Sequence, residues 1–546
     1  MTEKDPWGGG RAFDTRTINV GGSHMFVKIA MLVVFFAITI CVGLYYRRSD
    51  KSVDSFVLGG RSIGPWVTAF AFGTSYFSAV VFVGYAGQFG WRYGISAVWV
   101  GLGNAFIGSL LAWVVLARRT RVMTQHLGSA TMADFFGVRY ISKGLKIGAS
   151  IITFVFLVPY TASLYNGLSR LFAMAFDVDF SVCIIAMALL TAVFVIAGGY
   201  MATAVNNFIQ GIIMLFGIVA VITAVLNANG GFMASLGALA HVEDPAVSAS
   251  PGIFASFFGP DPLNLLGVVL LTSLGAWGLP QMVGKFYSIK SERHINTGTI
   301  VSTVFALFIA GGSYFLGSFG RLFADNVERN EAGGIAFDSI IPSMLSNFSD
   351  VLIGIVIVLV FAASISTLAS LVMASASTFT LDFLKGNFVK DMSEKRQVLT
   401  IRALIAVFIV VSSAVALFQF RSNVLFIAQL MGVSWGALAG AFLAPFLYGL
   451  YWKRVTKAAV WCNFAFASLF MLFNVANNLG GFGLFPKILE SPINAGAFTM
   501  LFGLVLVPVV SVLSPKPDAS DVDKCFVCYE TDVAVKARES LGNAKK

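Results

Sequence analysis

Charge is what this 546-residue chain has least of: Asp, Glu, Lys and Arg make up 12 % of it, against 57 % apolar residues. With a mean hydropathy of +0.82, that excludes an ordinary soluble domain and fits a polytopic membrane protein. Histidine is scarcer still. The four (His24, His126, His241, His294) all fall outside the apolar stretches. The 27 acidic residues fall in loops, tails or helix ends, with Asp134 and Asp382 nearest to a span. An intramembrane enzyme needs a general acid, a base or a metal cluster beside its substrate, and a proton pump needs a titratable relay. The sequence offers neither. Five cysteines make no disulfide framework. Cys41, Cys183 and Cys462 read as packing residues within apolar spans, and Cys525 and Cys528 form a lone CxxC, too few ligands for a structural zinc site.

Long apolar runs are plentiful. Thirteen segments are long enough to span, roughly 26–46, 64–87, 95–117, 146–170, 180–198, 206–226, 264–284, 298–320, 351–378, 400–419, 425–451, 458–476 and 495–514. No linker separates soluble domains, so one membrane domain over 26–514 is expected, between tails 1–25 and 515–546. The first 24 residues are polar and the first apolar segment is long enough to be a true span, so no cleavable leader is expected. The net charge of +10 is no nucleic-acid signal, because its distribution explains it. Alternate connections, beginning with the one after span one, hold 21 basic residues, and the opposite connections hold six. The positive-inside rule then puts the N-terminus outside and the C-terminus in the cytoplasm of a plasma-membrane protein.

Hydroxyls and amides supply most of the polarity left in the spans. Within the apolar stretch 361–370, Ala363, Ser366 and Thr367 follow an i, i+3, i+4 spacing, which puts a carbonyl and two hydroxyls on one helical face. Neutral oxygens clustered this way suit a small, hard cation such as sodium. Such residues also back-bond to the preceding turn or pack at helix contacts, so spacing alone leaves both readings open. Asn104, Asn166, Asn206, Asn207, Gln210, Gln281 and Gln429 add amides, favouring a path for a neutral, zwitterionic or lightly charged solute. Spans two and seven share an irregularity: Ala71-Phe-Gly-Thr-Ser-Tyr-Phe-Ser78 in one, Gly275-Ala-Trp-Gly-Leu-Pro280 in the other. Breaks five helices apart point to an inverted five-plus-five repeat with discontinuous helices.

Several motifs in order resemble the sodium:solute symporters, the group of bacterial proline, pantothenate and sodium/galactose carriers. Gly59-Gly-Arg-Ser-Ile-Gly-Pro-Trp66 is similar to the family's GGRSLG start of the first core helix. Ile196-Ala-Gly-Gly-Tyr-Met-Ala202 with Asn206-Asn-Phe-Ile-Gln210 resembles its GG…WTDxxQ segment, and Pro280-Gln-Met-Val-Gly-Lys-Phe286 its QPHxxxRF stretch. Residues 362–382 look like its eighth core helix. Ala444-Pro-Phe-Leu-Tyr-Gly-Leu-Tyr-Trp-Lys-Arg454 is similar to PFLLGLYWKR, the most specific match.

The resemblance implies an all-α membrane protein with a core of the sodium/leucine-transporter type, working by alternating access and not as an enzyme. It implies a sodium site of two carbonyls in the unwound first core helix plus a carbonyl and two hydroxyls in the eighth: Thr74, Phe77, Ala363, Ser366 and Thr367. The solute is expected between Tyr76, Ser78, Val81, Asn166, Trp277, Gln281 and Gln429, with Tyr76, Phe77 and Trp277 as gates. Two departures remove negative charge. Asn207 stands where relatives often carry Asp, and Tyr76 where the proline branch has an acid. They leave the five ligands in place but weigh against a second sodium site and against proline. The expectation is a sodium-coupled symporter, functional as a monomer, that imports an amino acid or monocarboxylate rather than a sugar. A sodium-independent facilitator or a transporter-like sensor is the alternative.

Overall fold

A computed structural model describes residues 15–46, 53–197, 200–245, 247–248, 250–329, 333–389, 391–422 and 427–536. Within them the chain is helical and carries no strand beyond isolated bridges. Ten helices are long and apolar enough to cross a membrane, and the bent pair Pro262–Gly278 and Pro280–Tyr287 makes an eleventh. The thirteen expected spans return when two more features are counted. Phe180–Ala197 is a shorter apolar helix. The continuous run Val80–His126 turns at Gly94, whose φ of +59° suits a residue without a Cβ.

Burial differs sharply among the spanning helices. In Ile427–Tyr451 and Asp350–Leu384, 94 % and 89 % of the apolar window is buried, whereas in Met25–Val42 only 17 % is. One of the two most enclosed helices holds Ala363, Ser366 and Thr367, and the first helix faces outward. Close crossings need missing side chains: a Cβ on Gly90 would stand 2.0 Å from the Gly317 carbonyl.

Two membrane helices are interrupted. The first runs Pro65–Tyr76, loses helical geometry at Phe77 (φ −94°, ψ 133°) and resumes at Ala79. The second breaks at Leu279 (φ −83°, ψ 122°), bends by 45° and resumes at Pro280, which has no N–H to leave unpaired. The start of one is strapped to the end of the other. Ile63 donates to the Ser288 carbonyl (3.3 Å), Lys290 donates to the Ile63 carbonyl (3.1 Å), and Arg61 reaches the carbonyls of Tyr287 (3.3 Å) and Ser129 (2.7 Å). Gly59, Gly60 and Arg61 take φ of +60°, +63° and +51°, a left-handed run that explains the double glycine of this motif.

Several details differ from the sequence reading. The first helix begins at Thr15, before the apolar run. Lys28, within the first apolar segment, pairs with Asp350 at 2.7 Å. Cys41 and Cys462 are exposed on outward faces, and of the three span cysteines only Cys183 is buried. Lys285, counted among the loop residues, is buried within the second interrupted helix. Residues 519–536 form a helix docked on the body, where Arg119 stacks on Tyr451 and Tyr529 at 4.1 and 4.5 Å.

Candidate functional site

The break after Tyr76 frees backbone carbonyls at the C-terminal, partially negative end of a half-helix. Facing them is the hydroxyl-rich stretch of Asp350–Thr378. Ser366 Oγ lies 3.2 Å from the Thr74 carbonyl and 2.8 Å from that of Ala363. Thr367 Oγ1 lies 3.1 Å from the Thr74 carbonyl, 3.2 Å from Phe77 and 3.0 Å from Ala363. Five oxygens thus converge, all from buried residues. A hydroxyl carries one proton, so Ser366 and Thr367 together can satisfy two of these five close oxygen contacts. The remaining contacts set negative ends against one another, which a small cation among them would relieve.

The same helix fixes the break from both sides. Ser364 Oγ accepts the Ala79 N–H at 3.2 Å where the first interrupted helix resumes. Ser370 Oγ stands 3.0 Å from Ser75 Oγ. No group of three or more His, Cys, Asp or Glu side chains among the described residues could hold a metal. The oxygen set, three carbonyls and two hydroxyls, is formally neutral, which suits a monovalent ion better than a divalent one.

The residues expected to hold solute divide. Tyr76 and Ser78 sit at the break. The Tyr76 hydroxyl donates to the Thr272 carbonyl (2.5 Å), and its ring lies 5.9 Å from that of Trp435. Trp435 packs at 5.9 Å against Tyr160, whose hydroxyl is within reach of Ser78 and of the Trp435 indole N–H without a well-formed hydrogen bond to either. Tyr160 and Trp435 escaped sequence reasoning, since each is an aromatic in an apolar helix with no local signal. Val81 is buried just past the break. Trp277 turns its indole to the Ile107 carbonyl (2.9 Å), Asn166 pairs with Gln419, and Gln429 is half-buried at the start of Ile427–Tyr451. Gln281 lines a cavity on the side of Thr131 and Met132. Asn207 is buried with neither amide atom partnered.

Each end of the body holds an open cavity. One, of about 670 Å³, is lined by Arg92, Asp244, Asp261, Arg321 and Lys487. There the Arg321 side chain is clasped by the Trp91 carbonyl (2.6 Å) and Asp244 (2.9 Å). The other, of about 630 Å³, is lined by Asp54, Asp134, Lys143, Lys146, Asp382 and Lys385.

The sequence model of the sodium:solute symporter family matches residues 56–465. The chain belongs to that family. A sodium/proline symporter of Staphylococcus aureus (strain JH9) is 30 % identical over 443 residues, spanning 78 % of this chain and 82 % of that protein. A Na+-coupled sialic acid symporter in a substrate-bound, outward-open state superposes with a TM-score of 0.69 at 14 % identity, covering 90 % of this chain and 99 % of that one. The fold is thus that of the sodium symporters with an inverted-repeat core. The chain is a multi-pass membrane transporter rather than an enzyme, and sodium is the coupling ion of its family.

Proposed function

We propose that this symporter imports a small amino acid or monocarboxylate with sodium held by the carbonyls of Thr74, Phe77 and Ala363 and the hydroxyls of Ser366 and Thr367. One observation carries the reading: five close oxygen contacts share two hydroxyl protons. The solute lies beside the same break, against Tyr76, Ser78, Tyr160 and Trp435, where buried polar atoms lack regular partners. A solute that supplies those hydrogen bonds is selected over one that leaves them unmade.

Coupling follows from position. Sodium between the interrupted helix and the helix 350–378 joins two separate elements and orders residues 77–78. That segment also presents Tyr76 and Ser78 to the solute. Each ligand then spends less on ordering the break when the other is bound, a reciprocal coupling of roughly 1–3 kcal/mol. With Lys285 set aside, the 20-to-6 distribution of basic residues supports a cytoplasmic location for residues 118–146 and 385–402. Membrane-impermeant cysteine labelling from outside should reach single cysteines placed in 227–263 and miss those in 118–146. The reverse pattern would overturn this orientation.

The deciding experiment is calorimetry of the purified protein with whichever amino acid or monocarboxylate a thermal-shift screen selects, in sodium and in potassium. Tighter solute binding in sodium supports the proposal, and equal affinity in both salts refutes it.

A further inference from the structure

Lys285 is a buried lysine with no carboxylate partner among the described residues. Its residue is 4 % exposed, on the second half of the second interrupted helix. Nζ donates to Ser370 Oγ at 3.0 Å and lies 5.1 Å from the centre of the Tyr200 ring. No acidic side chain among the described residues pairs with it or acts on it at close range. An ammonium has three donors, and Ser370 takes one. An ammonium left uncompensated inside a membrane protein is expensive, and such residues mark substrate or ion pathways.

The surroundings say what would compensate it. Lys285 lines a cavity of about 60 Å³ with Tyr200, Gln281, Ser370, Ser377 and Thr378. A water needs roughly 10–15 Å³ on this measure, so the space takes a few waters or one small ion. A protonated Lys285 disfavours a cation here, and an anion in the cavity in turn favours the protonated form. Gln281, 4 % exposed, has both amide atoms buried and unpartnered, so an N–H donor is available beside the positive charge. Ser370 stands one turn beyond Ser366, whose carbonyl it bonds at 3.0 Å, so the cavity adjoins the oxygen cluster at the first break.

We propose that Lys285 and Gln281 form a site for one small monovalent anion next to the sodium cage, and that the anion is the carboxylate of the transported solute on its way to the cytoplasm. The identity of the anion rests on the carboxylate-bearing substrate proposed above; the site itself does not. Lys285 holds the anion by charge and Gln281 orients it. The ammonium also repels a second sodium at this point, consistent with a single ion in the cage.

The test uses thermal unfolding of the full-length purified protein, with the bulky sulfonate MES as reference anion and sodium acetate and sodium chloride as probes. Acetate should raise the midpoint by a few degrees in the wild type and in Lys285→Arg, but not in Lys285→Met. Met conserves volume and removes a buried charge, so the variant is expected to fold. Gln281→Leu, which keeps the charge, should weaken the acetate shift and gives an independent arm. A shift with acetate alone assigns the site to the solute carboxylate. An equal shift with chloride supports the anion site and assigns it to an inorganic anion. No shift with either, or a shift that survives in Lys285→Met, overturns the proposal. The difference between sodium and N-methylglucamine, both as MES salts, should persist in Lys285→Met. Its absence from the wild type would count against the sodium reading and leave the anion result standing.

Discussion

The two interrupted helices use one backbone device and differ in what faces it. At the first, the carbonyls freed at Thr74 and Phe77 meet hydroxyls of the helix 350–378, and the outcome is an oxygen cluster. At the second, the backbone around Leu279 meets the packed helix Ile427–Tyr451. A Cβ on Gly278 would stand 2.8 Å from the Ala439 backbone, and one on Gly275 would stand 2.3 Å from the Trp435 ring. A break alone therefore specifies no ion site. The neighbour decides: hydroxyls gather freed carbonyls into an oxygen cluster, and a tryptophan against glycine turns the same irregularity into a shape-defined wall.

The largest expected effect tests the first break. Thr367 Oγ1 touches three of the carbonyls and Ser366 Oγ two, so Thr367→Ala should cost more than Ser366→Ala. Taking ~1.5–3 kcal/mol for a hydrogen-bonding group lost to a charged partner, sodium affinity should fall about 10–100-fold, read as the sodium dependence of the unfolding midpoint. Thr367→Ser should restore most of it. If both alanines leave the sodium dependence intact, the cage is elsewhere. The matching change at the second break is Gly275→Ala. Its methyl group overlaps Trp435, so we expect a stability loss of roughly 1–3 kcal/mol and weaker solute binding, with sodium affinity retained. A loss of sodium binding there would erase the distinction between the breaks.

The sequence makes these two regions unequally legible. Ala363, Ser366 and Thr367 declare themselves because one helix carries all three, and helical spacing is a local property. The span count is legible for the same reason, as is the interruption of both helices, since glycine and proline act on their own backbone. Tyr160 and Trp435 are invisible because their meeting depends on how two distant helices pack, and aromatics in apolar helices are unremarkable singly. Lys285 misleads for a different cause. Counting basic residues between spans assumes that the helix ends where hydropathy falls, whereas here the half-helix Pro280–Tyr287 carries the lysine back into the body. Asn166 and Trp277 bond to distant helices, and Gln281 lines a cavity, in ways that adjacency in the chain does not reveal.

An intermediate effect concerns the helix that backs the second break. Asp338, buried outside the spans, accepts the Ile427 N–H at 3.4 Å where that helix begins. Burial raises its carboxyl from 3.8 to about 6, with Arg170 opposing the shift. A carboxyl whose folded-state pKa exceeds its unfolded value is favoured in its protonated form, so stability should fall as pH rises from about 4 to about 6 and level off above. Asp338→Asn should flatten that fall and leave the protein more stable at pH 7 by roughly 1–3 kcal/mol, seen in unfolding midpoints across pH. Sodium affinity should not follow it. An unchanged pH profile in Asp338→Asn would mean that another group governs this range.

The smallest expected effect sharpens the comparison from the first break's side. Asn207 sits on Tyr200–Ala228, which packs against both Pro65–Tyr76 and the helix 350–378. It is fully buried with neither amide atom partnered, whereas its neighbour Asn206 donates to the Thr39 carbonyl at 3.2 Å. Asn207→Asp introduces a carboxylate that stays ionised in this setting only if a cation is close enough to repay its burial. The oxygen cluster is neutral, so an added charge acts on sodium without displacing a ligand. At the effective dielectric of about 20 usual for such sites, the attraction is about 4 kcal/mol near contact; burial of the carboxylate offsets most of it, leaving a gain on the order of 1 kcal/mol, about fivefold in affinity. Sodium titration of Asn207→Asp should therefore give tighter binding than wild type, while Asn207→Leu, which lacks the charge, should not. The gain should shrink as pH falls through the carboxyl's range, since protonation returns the residue to neutrality. Equal or weaker sodium binding in Asn207→Asp would place the cation away from this helix and detach it from the first break.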